Sequence, residues 1–82
     1  MKVKFVREYL NVTWYREYSI ILEDDDKEIY LGWVCKYQEK DKEWHAYSDN
    51  LGIEYTQYNN EFDSFTEAKE YIKRKVNIYY GN

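Results

Sequence analysis

The segment WYREYSIILEDDDKEIYLGWVCKY (residues 14–37) sets the fold. Two runs rich in β-branched and aromatic residues, at about 14–22 and 29–38, flank the polar block EDDDKE (23–28). Such runs suit a pleated, half-buried surface. A short charged block between them reads as a hairpin connection. A second polar block, QEKDKE (38–43), leads into a third strand at about 42–48. The alternating KVKFV near the start predicts an edge strand, and GIEYTQY (52–58) predicts a further one.

Side-chain parity follows from the same runs. Tyr18, Ile20 and Leu22 fall on one face and leave Tyr15 and Glu17 outside. In EWHAY, Trp44 and Ala46 share the inward face, because a small Ala is what a closely packed helix needs beneath it. His45 and Tyr47 then point outward. The middle strand does not declare itself: Leu31, Trp33 and Cys35 oppose Tyr30, Gly32 and Val34, and both sets are largely apolar.

Downstream the period changes. SFTEAKEYIKRKVNIYY opens with Ser64 followed three residues later by Glu67, a capping box that satisfies backbone N–H groups of a first helical turn. Phe65, Ala68, Ile72, Val76 and Tyr79 recur every three or four residues and form one apolar stripe. The spacing predicts a helix over 64–77, with Lys73, Arg74 and Lys75 late in it, where cations favour the negative helix end. The expected architecture is α+β: an antiparallel meander of three to five strands with one C-terminal helix on one face, within a single domain spanning 1–82.

Composition narrows the function. The 82 residues include 11 Tyr, 3 Trp and 3 Phe. Rings bury much area with few rotatable bonds, but a tyrosine hydroxyl needs water or a partner. So many phenols in so small a domain should lie half in and half out. Net charge is −4 and unevenly placed: +3 over 1–16, −9 over 17–63 and +2 over 64–82. The single Cys35 forms no internal disulfide, which fits a reducing compartment. No run is apolar enough for a secretion signal or a membrane span, so a cytoplasmic protein is expected. NVT (11–13) matches a glycosylation acceptor by chance in that setting. The lack of Pro, with abundant Lys, Asn, Tyr, Ile and Glu, follows AT-rich codon usage, as in a low-GC bacterium or its phage.

WHAY ending a strand and FDSFTEA opening a helix give residues 29–76 a pattern that resembles AP2-like β-β-β-α domains of plant transcription factors and phage-integrase N-termini. The resemblance implies a sheet-and-helix fold and DNA contacts through Arg and Trp on the exposed sheet face. Here Glu28, Glu39, Asp41 and Glu43 dominate that region, with Lys36, Lys40 and Lys42 among them. Phosphate binding is driven by cations that release counterions. The fold is therefore carried over and the DNA binding is not.

Catalytic chemistry is not in view. One His and one Cys, ten positions apart, form no metal-ligand spacing, and no glycine-rich phosphate loop occurs. His45 with Asp49 near Ser48 lacks any mark of an activated hydroxyl, so an exposed strand His is the expected reading. Cys35 reads as a small core residue. EDDD (23–26) lacks the alternating ligands, Gly and distal Glu of a calcium loop. The expectation is a non-enzyme with no metal and no cofactor.

DNLGIEYTQYNNEFD (49–63) is the candidate contact segment, with four acids, no base and two Tyr. It is otherwise a polar loop leading into the helix. Tyr supplies rigid amphipathic area and Asn adaptable hydrogen bonds. Spaced carboxylates imitate a phosphate track and complement a basic groove. Asp49, Glu54, Tyr55, Tyr58, Glu61 and Asp63 are the expected partner-binding residues. The expected function is a small protein-binding module for a basic site on another protein. Its most concrete version is a phage-encoded inhibitor of a host nucleic-acid enzyme, such as an anti-CRISPR or other anti-defence protein. The alternative is an AP2-like nucleic-acid-binding module, and a homodimer is compatible with the surplus rings.

Overall fold

The computed structural model describes residues 2–9, 15–37, 44–54 and 62–81. Four strands lie in chain order across one antiparallel sheet: β1 (Lys2–Glu8), β2 (Tyr15–Asp24), β3 (Lys27–Tyr37) and β4 (Trp44–Tyr47). One helix, α1 (Phe65–Tyr80), follows. This is the expected α+β meander with a C-terminal helix, and the KVKFV segment is its edge strand.

The central hairpin is tighter than the polar block suggests. Pairing runs out to Asp24 opposite Lys27, and only Asp25 and Asp26 turn. Asp25 takes a positive φ of 55°, a conformation that Asp tolerates because its short side chain bonds locally. Glu23 and Glu28, expected in the turn, instead face each other across β2 and β3. Lys4 bridges them, 2.7 Å from Glu28 and 3.6 Å from Glu23.

The ambiguous parity of β3 is resolved by a bulge. Ile20 pairs with Gly32 and Ile21 with Tyr30, which leaves Leu31 without an opposite number. An extra residue flips the alternation. Ile29, Leu31 and Val34 therefore face the helix, whereas Tyr30, Trp33, Cys35 and Tyr37 belong to the other face. Gly32 is required at this point: a Cβ there would sit 1.9 Å from the carbonyl oxygen of Tyr47 in β4.

The core lies between the sheet and α1. Ile20, Leu22, Leu31, Val34, Trp44 and Ala46 meet Ala68, Ile72 and Val76 from the helix. Leu51 and Ile53 close one end. Phe65, in the first turn of α1, touches three strands: Tyr18 at a ring distance of 4.3 Å, Trp44 at 4.8 Å and Phe5 at 6.0 Å. Each such ring pair is worth roughly 0.5–1.5 kcal/mol beyond the area it buries.

The helix begins as expected. Ser64 Oγ accepts the Glu67 N–H at 3.1 Å, and Glu67 Oε2 accepts the Asp63 N–H at 2.9 Å. It ends later than expected, at Tyr80, where the Gly81 N–H reaches the Asn77 carbonyl at 3.2 Å with φ 77°. Lys73, Arg74 and Lys75 therefore stand mid-helix, and the last turn carries no base. Of the strand expected at 52–58, the described residues show Ile53 in an isolated bridge with Ser48; residues 55–58 lie outside the described residues.

Two stability outcomes follow. Gly32→Ala should cost about 3 kcal/mol, because backbone rather than a flexible side chain blocks the new methyl. Ser64→Ala should cost about 1 kcal/mol by removing the cap. Urea unfolding midpoints of the two variants against the parent check both values.

Candidate functional site

The face of the sheet away from α1 carries Tyr15, Tyr30, Trp33, Tyr37 and Tyr47, none of which belongs to the apolar cluster under the helix. Val6, Ser19, Trp33 and Tyr47 form one row across the four strands. Glu8, Glu17, Cys35 and His45 form the next, and Tyr15 with Tyr37 the one after. Two ring pairs thus bracket a polar row. Trp33 and Tyr47 stack at 5.7 Å and 30°, and Tyr15 and Tyr37 meet at 5.2 Å and 53°. Tyr30 stands farther along the same face and is 57% exposed. None of the nine described tyrosines is fully buried, as the hydroxyl argument requires.

Toward the Glu8 end of the sheet, charge is sorted between the two faces by strand alternation, whereas Lys2 and Lys4 share the open face with Glu23 and Glu28 at the other end. Arg7 and Glu8 are adjacent in β1, and Arg16 and Glu17 in β2, so each acid joins the open face while its basic neighbour turns to the helix side. Lys36, opposite Arg16, also lies on the helix side, 5.9 Å from the Trp44 ring. Glu8 and Glu17 stand directly across from each other. Like charges in that position destabilise a sheet unless something cationic meets them. Each is oriented by a hydroxyl. Ser19 Oγ donates to Glu8 Oε1 at 2.7 Å, and the Tyr15 hydroxyl donates to Glu17 Oε1 at 2.8 Å.

These carboxylates colour the titration of their neighbours. Burial lifts the Tyr15 phenol well above its usual range, and its bond to Glu17 adds to the rise. Burial also raises Tyr30, helped by the fields of Glu17 and Glu8. Tyr47 is raised chiefly by its hydrogen bond to Asp49. All three remain neutral donors at pH 7. Cys35 is pushed up to about 11 by burial; a hydrogen bond with Tyr15 pulls it back in part, and the charge of Glu17 adds a smaller rise. Cys35 faces His45 across β3 and β4. A nucleophilic pair would need the thiolate, and every influence except the Tyr15 bond keeps the proton on sulfur. No group of three or more metal-ligating side chains occurs among the described residues.

His45 requires a correction. Its side chain does belong to the open face, but it is only 5% exposed and not the solvated histidine that alternation implies. Cys35 is buried as expected, yet beneath the open face and outside the apolar cluster under α1.

The segment 49–63 is seen in part. Asp49 is exposed in the turn after β4, and its bond to Tyr47 ties it to the rim of the open face. Glu54 is exposed just past Ile53. Asp63 is exposed beside the helix cap, next to Phe62, whose backbone pairs with Trp44. Asp49 and Asp63 thus flank opposite ends of β4. Tyr55, Tyr58 and Glu61 lie outside the described residues. Glu8, Tyr30, Trp33 and Tyr37 were not among the expected contact residues. The signals for them were the twin Arg-Glu dipeptides at 7–8 and 16–17 and the lone Gly32 that marks the bulge.

No family model, curated protein or solved structure matches the chain. No helix among the described residues is long and apolar enough to cross a membrane.

The buried thiol predicts an alkaline weakness. A folded pKa raised from 9.0 to about 11 favours the folded state below pH 9 and loses that advantage as pH climbs toward 11. Stability should fall by roughly 2 kcal/mol across that window. Cys35→Ala should flatten the decline between pH 9 and 10, with the phenols acting above it. Urea midpoints at pH 7, 9 and 10.5 measure the difference.

Proposed function

We propose that this chain is a small, non-enzymatic protein-binding module whose open sheet face receives a cationic surface of another protein. The observation that carries the reading is the Glu8–Glu17 pair, set face to face between the ring pairs Trp33–Tyr47 and Tyr15–Tyr37. An arginine or lysine placed there would relieve the carboxylate repulsion and lie over ring faces, which attract cations. Guanidinium groups fit best, being planar, weakly hydrated and able to stack. Tyr and Trp are also the residues on which binding energy concentrates at protein interfaces. Asp49, at the rim, extends the negative field that steers such a partner.

The most concrete version is an inhibitor of a nucleic-acid enzyme, encoded by a phage and directed at the basic groove where that enzyme holds phosphates. Small size, negative charge and the absence of a catalytic constellation among the described residues support it. The AP2-like alternative needs cations where this face carries Glu8 and Glu17; Arg7, Arg16 and Lys36 turn the other way, and of the open-face bases Lys2 and Lys4 the latter is held by Glu23 and Glu28.

Affinity capture from lysate, followed by salt titration, is the test. A DNA- or RNA-handling protein should be retained at low salt and released as salt rises. Tyr30→Ala and Glu17→Gln should each weaken retention about tenfold. Glu54→Lys and Tyr55→Ala report on the 49–63 segment separately. Retention indifferent to salt and to the open-face variants would overturn the reading. Micromolar binding of duplex or single-stranded DNA in a low-salt titration would favour the alternative.

A further inference from the structure

The two edges of the sheet are not treated alike. The outer edge of β4 is occupied: Trp44 exchanges both backbone bonds with Phe62, and Ser48 does the same with Ile53. Among the described residues, nothing pairs with the outer edge of β1. The backbone groups it presents follow from alternation. Trp44 bonds outward, so His45 and Tyr47 bond to β3; Val34 and Lys36 then bond to β2, and Glu17 and Ser19 to β1. Val3, Phe5 and Arg7 are left with N–H and C=O directed away from the sheet. Val6, on the open face of the same strand, is 40% exposed.

We infer that β1 is a self-association edge. Two copies of this chain pair their β1 strands antiparallel about a two-fold axis at Phe5, joining two four-stranded sheets into one. The argument is charge complementarity within a single register. Centred on Phe5, the strand Lys2–Glu8 overlaps its mate along its whole length, and each Lys2 faces the other copy's Glu8. Lys4 faces Val6, and Val3 faces Arg7. A shift of two residues either way shortens the overlap. One direction sets Lys4 against its own counterpart. The other sets Glu8 against Lys4, which Glu28 already holds at 2.7 Å. Lysines on an edge ordinarily discourage pairing. Here the same charges admit one mate in one alignment. An isologous contact of this kind closes on itself and leaves no further edge to propagate, because the β4 side is covered.

The test is charge exchange. Sedimentation velocity of the full chain from about 10 to about 500 µM should show a monomer–dimer equilibrium of micromolar strength. Lys2→Glu and Glu8→Lys each turn two attractive pairs into repulsive ones and should weaken the dimer at least about tenfold. An equimolar mixture of the two variants should recover near-parental affinity, since both end contacts of the mixed dimer again join opposite charges. The double variant should also dimerise like the parent, and it carries the test should either single variant fail to fold. A chain that stays monomeric throughout, a dimer indifferent to both charges, or a mixture no tighter than its components would each overturn the inference. So would a monomer whose Phe5 and Arg7 amides become protected only when a foreign polypeptide is added.

Discussion

The unpaired Leu31, opposite the step from Ile20 to Ile21, resets side-chain alternation half-way along the central strand. Without it, a strand carrying Leu31 and Trp33 on one side would carry Val34 and Tyr30 on the other, and the sheet would mix core and surface on both faces. With it, Leu31 and Val34 both reach the helix, while Tyr30 and Trp33 share the opposite side. Core and open face are therefore products of one irregularity. Its condition is steric: the backbone at residue 32 lies against the Tyr47 carbonyl, where only a hydrogen fits.

Phe65 converts that sheet into a two-layer domain. Its ring meets Phe5, Tyr18 and Trp44, which come from three different strands, and the cap at Ser64 fixes where the helix begins relative to them. Among the sheet's bases, Arg7, Arg16 and Lys36 are drawn to the helix side by the parity that places Glu8 and Glu17 opposite. The charge separation along the chain is therefore less informative than the separation through the sheet. Residues 1–16 carry +3 overall, yet Arg7 and Arg16 lie on the helix side while Glu8 joins Glu17 on the open one.

The architecture was legible because its periods are clean. The stripe Ala68, Ile72 and Val76 is helical, Ile20 and Leu22 alternate as a strand does, and Ser64 with Glu67 announces the helix start. The inward placement of Trp44 and Ala46 followed from size alone. Strand ends were less legible. Carboxylates look like turn residues, whereas Glu23 and Glu28 are held in the ladder by Lys4, a partner some twenty residues distant. The candidate site was half legible. Glu17, Tyr15 and Tyr47 fell outside the core by parity, but Trp33 and Tyr37 depended on a bulge that no periodicity displays. The burial of His45 was hidden for a similar reason, since alternation gives the face a residue belongs to but not the height of the rings around it.

Strands that follow one another along the chain also neighbour one another in space. Each pairing therefore closes a short loop, and only docking of α1 must span the sequence. Chains with such neighbour-to-neighbour connectivity close only short loops at each pairing step, and mixed sheet-and-helix domains fold at rates between those of helical bundles and of all-β barrels. The sequence has no Pro, so no prolyl bond must isomerise on the way. Formation of the sheet therefore waits on the closing of short loops and on no slow isomerisation step.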